Sequence, residues 1–289
     1  MLDERDRRLT PARPDLADEK LRGLVAAARY VRGVARRVVA PSAPLRREPT
    51  PEAPIDTEAL CGEAVTVYDE HEGVAWAQLT RDGYVGYLAT HALGPDGPPP
   101  THRVAALRTF LYPGPNLKLP PLGHLSLGAE VTPADHTGDY VRLPGGFVFA
   151  AHLAPVDRHA PDFVAVAERL LGAPYLWGGK TSLGLDCSGL VQLSLAMAGI
   201  EAPRDTDMQE RALGEPVALP PDLGGLRRGD LVFWRGHVGI MRDEARLLHA
   251  NGHHMEVASE PLAEAERRIR EKTFGPITSV RRVRRLGGS

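Results

Sequence analysis

A multidomain chain is expected, with two small all-β barrels followed by an α+β domain, and three observations predict it. The 289 residues exceed a single ordinary domain, which runs to roughly 100–200 residues. Short β-branched and aromatic runs, separated by charged or glycine-containing turns, fill residues 57–153. Beyond Pro155 the apolar period becomes helical and then returns to strands, which is the order of an α+β unit. Hydrophobic residues at 43% supply enough apolar material for real cores.

Residues 1–50 are rich in Arg, Pro and Ala and read as an extended lead-in, with a helix over Glu19–Val31 opposed by Gly23 and Gly33. The first barrel is placed at 51–97, with strands at Val65–Tyr68, Val74–Leu79 and Tyr84–Leu88. Gly94–Pro100 reads as a linker by composition. The second barrel is placed at 98–155, with strands at Val104–Phe110, Ala129–Thr132, Tyr140–Leu143 and Phe147–His152. In the last domain, 156–289, a helix is expected from Phe163, Val166, Ala167 and Leu170, ending at Gly172. A second, apolar on most sides and therefore central, runs from Cys187 to Met197. Strands follow at Asp230–Trp234, His237–Met241, Arg246–Ala250 and His254–Ala258, joined by turns into an antiparallel meander. Glu264–Lys272 reads as a solvated helix and Val280–Arg285 as a terminal edge strand.

Lys and Arg number 35 against 37 Asp and Glu, so no overall field favours nucleic acid or anionic lipid. The two cysteines, Cys61 and Cys187, exclude a disulfide scaffold and a Cys-rich zinc site. The charged opening Met1–Arg8 has no apolar stretch behind it, and no run of 18 apolar residues occurs, so a cytoplasmic chain with no membrane partner is expected.

The chemistry centres on Asp186-Cys187-Ser188-Gly189 at the start of the buried helix. Unpaired backbone N–H groups and the helix dipole at such a position favour a thiolate. A free cysteine opening a buried helix is equally what an inert core residue looks like. Two histidines tip the balance. His237 opens a strand straight after a tight turn, and its imidazole suits a general base near neutral pH. His249 follows on the adjacent strand, where it can hold the ring of His237 in one orientation, the task of a third triad member.

Residues 157–285 resemble the NlpC family of bacterial cell-wall cysteine peptidases through Tyr175-x-Trp177-Gly178-Gly179, Asp186-Cys187-Ser188-Gly189, Gly229-Asp230-Leu231-Val232-Phe233 and His237-Val238-Gly239-Ile240. The barrels resemble bacterial SH3-like domains through Asp82-Gly83-Tyr84-Val85-Gly86-Tyr87. The resemblance implies a papain-like domain that hydrolyses the bond between γ-D-glutamate and a diamino acid such as meso-diaminopimelate in murein-derived peptides. It implies Cys187 as nucleophile, His237 as base and then acid, and His249 as the orienting group. Tyr175, Trp177, Asp186, Ser188 and Thr206 are then substrate-side positions, with Asp186 suited to receive the ammonium of a free N-terminal L-Ala. Glu63, Tyr84 and Tyr87 of the first barrel are candidates for a further wall of the site.

No metal or cofactor is expected. His249 and His253 have zinc spacing only on a helix, and Asn251-Gly252 between them predicts a turn. Two other readings stay open at this point: a non-catalytic wall-binding protein, and an acyltransferase or amidase on the same scaffold.

Overall fold

The computed structural model describes residues 5–220 and 222–283, which form two compact units divided between Val156 and Asp157. The opening residues 1–4 and Arg284 and Arg285 of the expected terminal strand lie outside the described residues.

The N-terminal unit is all-β. Strands β1 (Leu16–Asp18) and β2 (Arg29–Val31) form a small parallel pair. Seven strands make one antiparallel sheet: β3 (Val34–Val38), β4 (Ser42–Arg46), β5 (Ile55–Leu60), β6 (Ala64–His71), β7 (Val74–Leu79), β8 (Val85–Ala89) and β9 (Leu93–Pro95), in the order β5-β4-β8-β7-β6-β3-β9. Alternate residues of these strands, among them Leu45, Val65, Val67, Ala77, Leu79 and Leu88, share one buried core, which Tyr84 of the turn before β8 joins.

This corrects the reading of residues 1–50 as a lead-in, because β3 and β4 are integral strands of the sheet. The helix that Gly23 and Gly33 oppose over 19–31 does not form, and the segment holds a 3-10 turn at Glu19–Leu21 and β2. Both departures have one cause. The apolar residues here are few and alternate with arginine, so they offer a half-buried strand face and no helical stripe. Leu16 is buried against Tyr68 and Trp76, and the Arg13 guanidinium lies over the Trp76 ring at 4.5 Å, which ties the chain's start to the sheet.

A second β region follows in eight short strands: β10 (His102–Val104), β11 (Arg108–Leu111), β12 (Gly123–Ser126), β13 (Glu130–Val131), β14 (His136–Thr137), β15 (Tyr140–Leu143), β16 (Gly146–Phe149) and β17 (Leu153–Pro155). They pair as β13-β10-β17, β11-β12 and β14-β15-β16 around Val104, Leu125, Val141 and Val148. The strand expected over 104–110 is broken in two. The segments from Gly86 to Pro95 and from Gly146 to Pro155 repeat one another: each is a strand, a 3-10 turn (Thr90–Ala92 and Ala150–His152) and a strand ending in proline. Arg81 joins the two β regions, donating to Glu63 at 2.7 Å and to Glu130 at 2.6 Å.

The C-terminal unit begins with α1 (Phe163–Glu168), capped by the Asp162 side chain, and continues with a two-stranded hairpin, β18 (Lys180–Thr181) and β19 (Gly184–Leu185). Then come α2 (Cys187–Met197), α3 (Thr206–Ala212), β20 (Glu215–Pro216), β21 (Asp230–Trp234), β22 (His237–Met241), β23 (Arg246–Asn251), β24 (Glu256–Pro261), α4 (Leu262–Lys272) and β25 (Ile277–Arg282). The antiparallel sheet runs β20-β25-β21-β22-β23-β24. The last strand is therefore not an edge, because β20 pairs outside it. Val232, Trp234, Met241 and Leu247 pack against Leu262, Ala265 and Ile269 of α4. That apolar stripe corrects the reading of α4 as wholly solvated. Every residue of α2 but Ala196 is buried, as its all-round apolarity requires. Among the described residues no helix is long and apolar enough to cross a membrane.

Candidate active site

Asp186 ends an extended segment and caps α2, its Oδ1 accepting from the Gly189 N–H at 2.7 Å. The same carboxylate accepts from the Gly178 N–H at 2.9 Å and, in bidentate fashion, from both terminal nitrogens of Arg204 at 3.0 and 2.7 Å. Arg204 is 1% exposed and also donates to Ser188 Oγ at 2.8 Å. Gly189 has no room for a side chain, since a Cβ there would lie 2.2 Å from the carbonyl oxygen of Gly179.

These contacts seat Cys187 at the first position of α2, 8% exposed, with Sγ 3.8 Å from Thr206 Oγ1 and within a hydrogen bond of the Val238 N–H. Burial, with the Asp186 charge adding to it, pushes the thiol up to about 11, and the bonds from Thr206 and Val238 only offset part of that rise. The thiolate expected from the helix position is thus not the resting form. Desolvation outweighs the helix dipole, whose effect is typically 0.3–1 kcal/mol.

His237 opens β22 after the Arg235-Gly236 turn, where Gly236 takes φ +89° without strain. Its ring stacks on Phe274, with centroids 5.6 Å apart and planes 5° from parallel, and leans on Trp234. His237 Nε2 lies 2.8 Å from His249 Nδ1, and His249 Nε2 lies 2.8 Å from Glu260 Oε1. On β24, Ala258 is the partner of His249, so Glu260 is its diagonal neighbour on the same face. Arg268 of α4 donates to both oxygens of Glu260, one at 2.6 Å. Burial lowers both imidazoles from their usual value, so both are neutral near pH 7, whereas the bonds from His249 and Arg268 hold Glu260 well below the carboxylate range against its own burial.

A cleft of about 390 Å³ contains Cys187, His237 and His249 together with Tyr175 and Trp177. Its wall also includes Arg268, Lys272, His253 and Phe274 and, among the described residues, no carboxylate. A thiol and a neutral imidazole sharing one concave site have the makings of a nucleophile and its base.

Residues 172–273 match the NlpC/P60 family, and residues 45–93 match the bacterial dipeptidyl-peptidase SH3 domain. The C-terminal unit is an NlpC/P60 domain. The chain is accordingly a peptidase of the papain-like cysteine class with an SH3-like domain ahead of it. It is 25% identical over 242 residues to the γ-D-glutamyl-L-lysine dipeptidyl-peptidase of Bacillus cereus, covering 72% of this chain and 71% of that one. The protein of the same name from Bacillus subtilis is 28% identical over 218 residues, covering 68% and 72%. Dipeptidyl-peptidase 6 of Lysinibacillus sphaericus is 32% identical over 119 residues, 41% of this chain but only 42% of its own length, so less than half of that relative is spanned. A crystal structure of an NlpC/P60 family protein from Bacillus cereus shares the fold, with TM-score 0.70 at 20% identity over 88% of this chain and all of that one.

The NlpC/P60 domain brings together Cys187, His237, His249, Tyr175 and Trp177, and Trp177 stands at the rim, 62% exposed. Asp186, Ser188 and Thr206 lie outside the cleft wall. Asp186, expected to receive an ammonium, here holds structural donors: its oxygens accept from two backbone N–H groups, Ser188 Oγ and Arg204. The three barrel candidates have partners within their own unit. Tyr84 is a core residue of the sheet, Glu63 is buried and accepts from Arg81 and the Leu60 N–H, and the Tyr87 hydroxyl accepts from Arg13 at 3.3 Å. Cys61, the other free thiol, is half-buried beside β5, and its carbonyl accepts from the Glu130 N–H.

Sequence reasoning missed Glu260, Arg268 and Phe274. The one available signal was the spacing of Glu260 two residues beyond the strand partner of His249. Among the described residues one trio, His249, His254 and Glu260, has metal-ligand types within 4.8 Å. Both His249 nitrogens are engaged, and Glu260 is paired with the Arg268 guanidinium, whose positive charge opposes a second cation there.

Proposed function

We propose that this chain is a cysteine endopeptidase that hydrolyses the γ-D-glutamyl–diamino acid bond of murein-derived peptides carrying a free N-terminal L-Ala, in the recycling of such peptides. The observation that carries the reading is the 2.8 Å link between His237 and His249 in the cleft that also holds the Cys187 sulfur. His237 takes the thiol proton as Sγ attacks the γ-carbonyl carbon. The backbone N–H of Cys187, at a helix start where no intrahelical acceptor exists, faces the developing oxyanion. The tetrahedral intermediate collapses to a thioester as the protonated His237 gives its proton to the departing amine. Water, deprotonated by the same imidazole, then releases the glutamyl product and restores the thiol.

Two Bacillus relatives named for the γ-D-glutamyl-L-lysine bond support the bond type, and their description as dipeptidyl-peptidases supports recognition of a free amino end. The cleft wall supports the substrate class. A γ-linked glutamate leaves its α-carboxylate free beside the scissile bond, and this wall offers the Lys272 ammonium, while Arg268 is already held by Glu260. Diaminopimelate adds a further carboxylate that lysine lacks, so the diaminopimelate peptide is the preferred substrate. We also read the second β region as SH3-like, on the strength of the repeated strand, 3-10 turn and strand.

The test is cleavage of L-Ala-γ-D-Glu-diaminopimelate followed by mass spectrometry. Cys187→Ala is expected to abolish release of L-Ala-γ-D-Glu, EDTA to leave it unchanged, and N-acetylation of the alanine to stop it. Undiminished cleavage by Cys187→Ala ends the reading, and full activity on the acetylated peptide ends amine recognition.

A further inference from the structure

We propose that Glu260 is a positioning residue of this site: acting through His249, its carboxylate sets the tautomer of both imidazoles, so that His237 presents an unprotonated nitrogen for the thiol proton. The inference rests on the peptidase reading for its purpose, and on hydrogen-bond geometry, with both buried rings neutral, for the proton arrangement.

Three successive contacts link Arg268, Glu260, His249 and His237. Arg268 donates to both Glu260 oxygens, so Glu260 is ionised and only accepts. The 2.8 Å contact between Glu260 Oε1 and His249 Nε2 is then donated by the imidazole, and His249 carries its proton on Nε2. A neutral imidazole has one N–H, so His249 Nδ1 is a lone pair. The 2.8 Å contact between that Nδ1 and His237 Nε2 must therefore be donated by His237. The other nitrogen of His237, Nδ1, is left as the free base of the ring. Stacking on Phe274 fixes the ring plane, and burial among Trp234, Phe274 and His249 keeps water from supplying a competing donor.

When His237 takes the thiol proton it becomes a cation in a buried place, and Glu260 is the counter-charge, two hydrogen bonds away. The charged and titratable groups facing the two rings are Cys187 from α2, Glu260 from β24, Arg268 from α4 and His254 from the turn after β23. Arg268 opposes the imidazolium, and Glu260 favours it.

An amide at position 260 keeps one acceptor oxygen, which the Arg268 guanidinium draws to itself, and puts a donor in place of the other. Glu260→Gln allows His249 to accept at Nε2, to carry its proton on Nδ1, and to force that of His237 onto its own Nδ1, which removes the base. The expected result is a loss of kcat of roughly a hundredfold with KM changed less than about twofold, the scale of removing an outer partner of an active histidine. The acid limb of the kcat profile moves to lower pH, because the counter-charge to the imidazolium is gone. Glu260→Asp, which keeps the acceptor, recovers part of kcat.

Nitrogen-15 NMR of the imidazoles decides the matter whether or not the peptide is turned over. Full-length wild-type protein near pH 7 is expected to show Nε2–H for both His237 and His249, and Glu260→Gln to show Nδ1–H. Wild-type protein with a proton on Nδ1 of His237 overturns the inference. A Glu260→Gln protein with unchanged tautomers overturns it too, even if activity falls, since the loss is then structural. Should Glu260→Gln not fold, the wild-type spectrum and Glu260→Asp carry the test. Failure of wild type to cleave any murein peptide, with the tautomers as stated, removes the peptidase reading and leaves the proton arrangement standing.

Discussion

Asp186 and Glu260 are both buried carboxylates gripped by an arginine on the two sides of the cysteine–histidine pair, yet their surroundings differ. Arg204 is sealed in at 1% exposed, whereas the side chain of Arg268 is 18% exposed and lines the cleft. Asp186 takes its remaining bonds from backbone N–H groups, and Glu260 takes its own from an imidazole. The first pair is a joint that locks the helix start to the loop before it. The second pair sets a proton. A carboxylate next to a reactive group therefore does not reveal its task by residue type; the donors it holds do.

The largest expected effect breaks the first joint. Arg204→Ala leaves Asp186 buried and uncompensated, at a cost of about 3–5 kcal/mol. Thermal unfolding followed by circular dichroism should show a strong fall in Tm, against a small one for Glu260→Gln; equal losses would erase the distinction between the two pairs. A second effect sharpens it through the sulfur. Burial and the Asp186 charge hold the thiol up to about 11, so below that value the thiolate is a minor fraction that grows tenfold per pH unit. Alkylation of Cys187 by iodoacetamide, followed by peptide mass spectrometry, should accelerate about tenfold per pH unit from 7 towards 10. A rate already level at pH 7 would mean a resting thiolate and would place the Asp186 charge outside the sulfur's electrostatics. The smallest effect lies beside the second pair. Lys272 lines the cleft one helical turn beyond Arg268 and has no ion-pair partner among the described residues. Lys272→Ala should raise KM for the diaminopimelate peptide about three- to tenfold, with kcat and Tm little changed, as expected for one charge-assisted contact.

Much of this arrangement was legible in the residues alone. A helix apolar on every side announced α2, and tight turns between apolar runs announced the meander, so Cys187, His237 and His249 fell on the elements expected of them. What stayed hidden was pairing over distance. Arg204 meets Asp186 across 18 positions, and no local pattern says which arginine of many will do so. Glu260 reads as a surface residue until the register of β23 and β24 sets it diagonal to His249. Strands β3 and β4 escaped notice because arginine and proline occupy their outward positions, so the half facing the core is too sparse to show as an apolar run.

Gly189 has a further consequence. With the Gly179 carbonyl so near that no methyl fits between them, the helix carrying the sulfur and the loop behind it are pressed backbone to backbone. Evolution has almost nothing to adjust there: any side chain would prise the helix away and carry the sulfur with it. New appetites in molecules built this way must be written at the mouth, where Trp177 and Lys272 are exposed, while the floor is inherited intact.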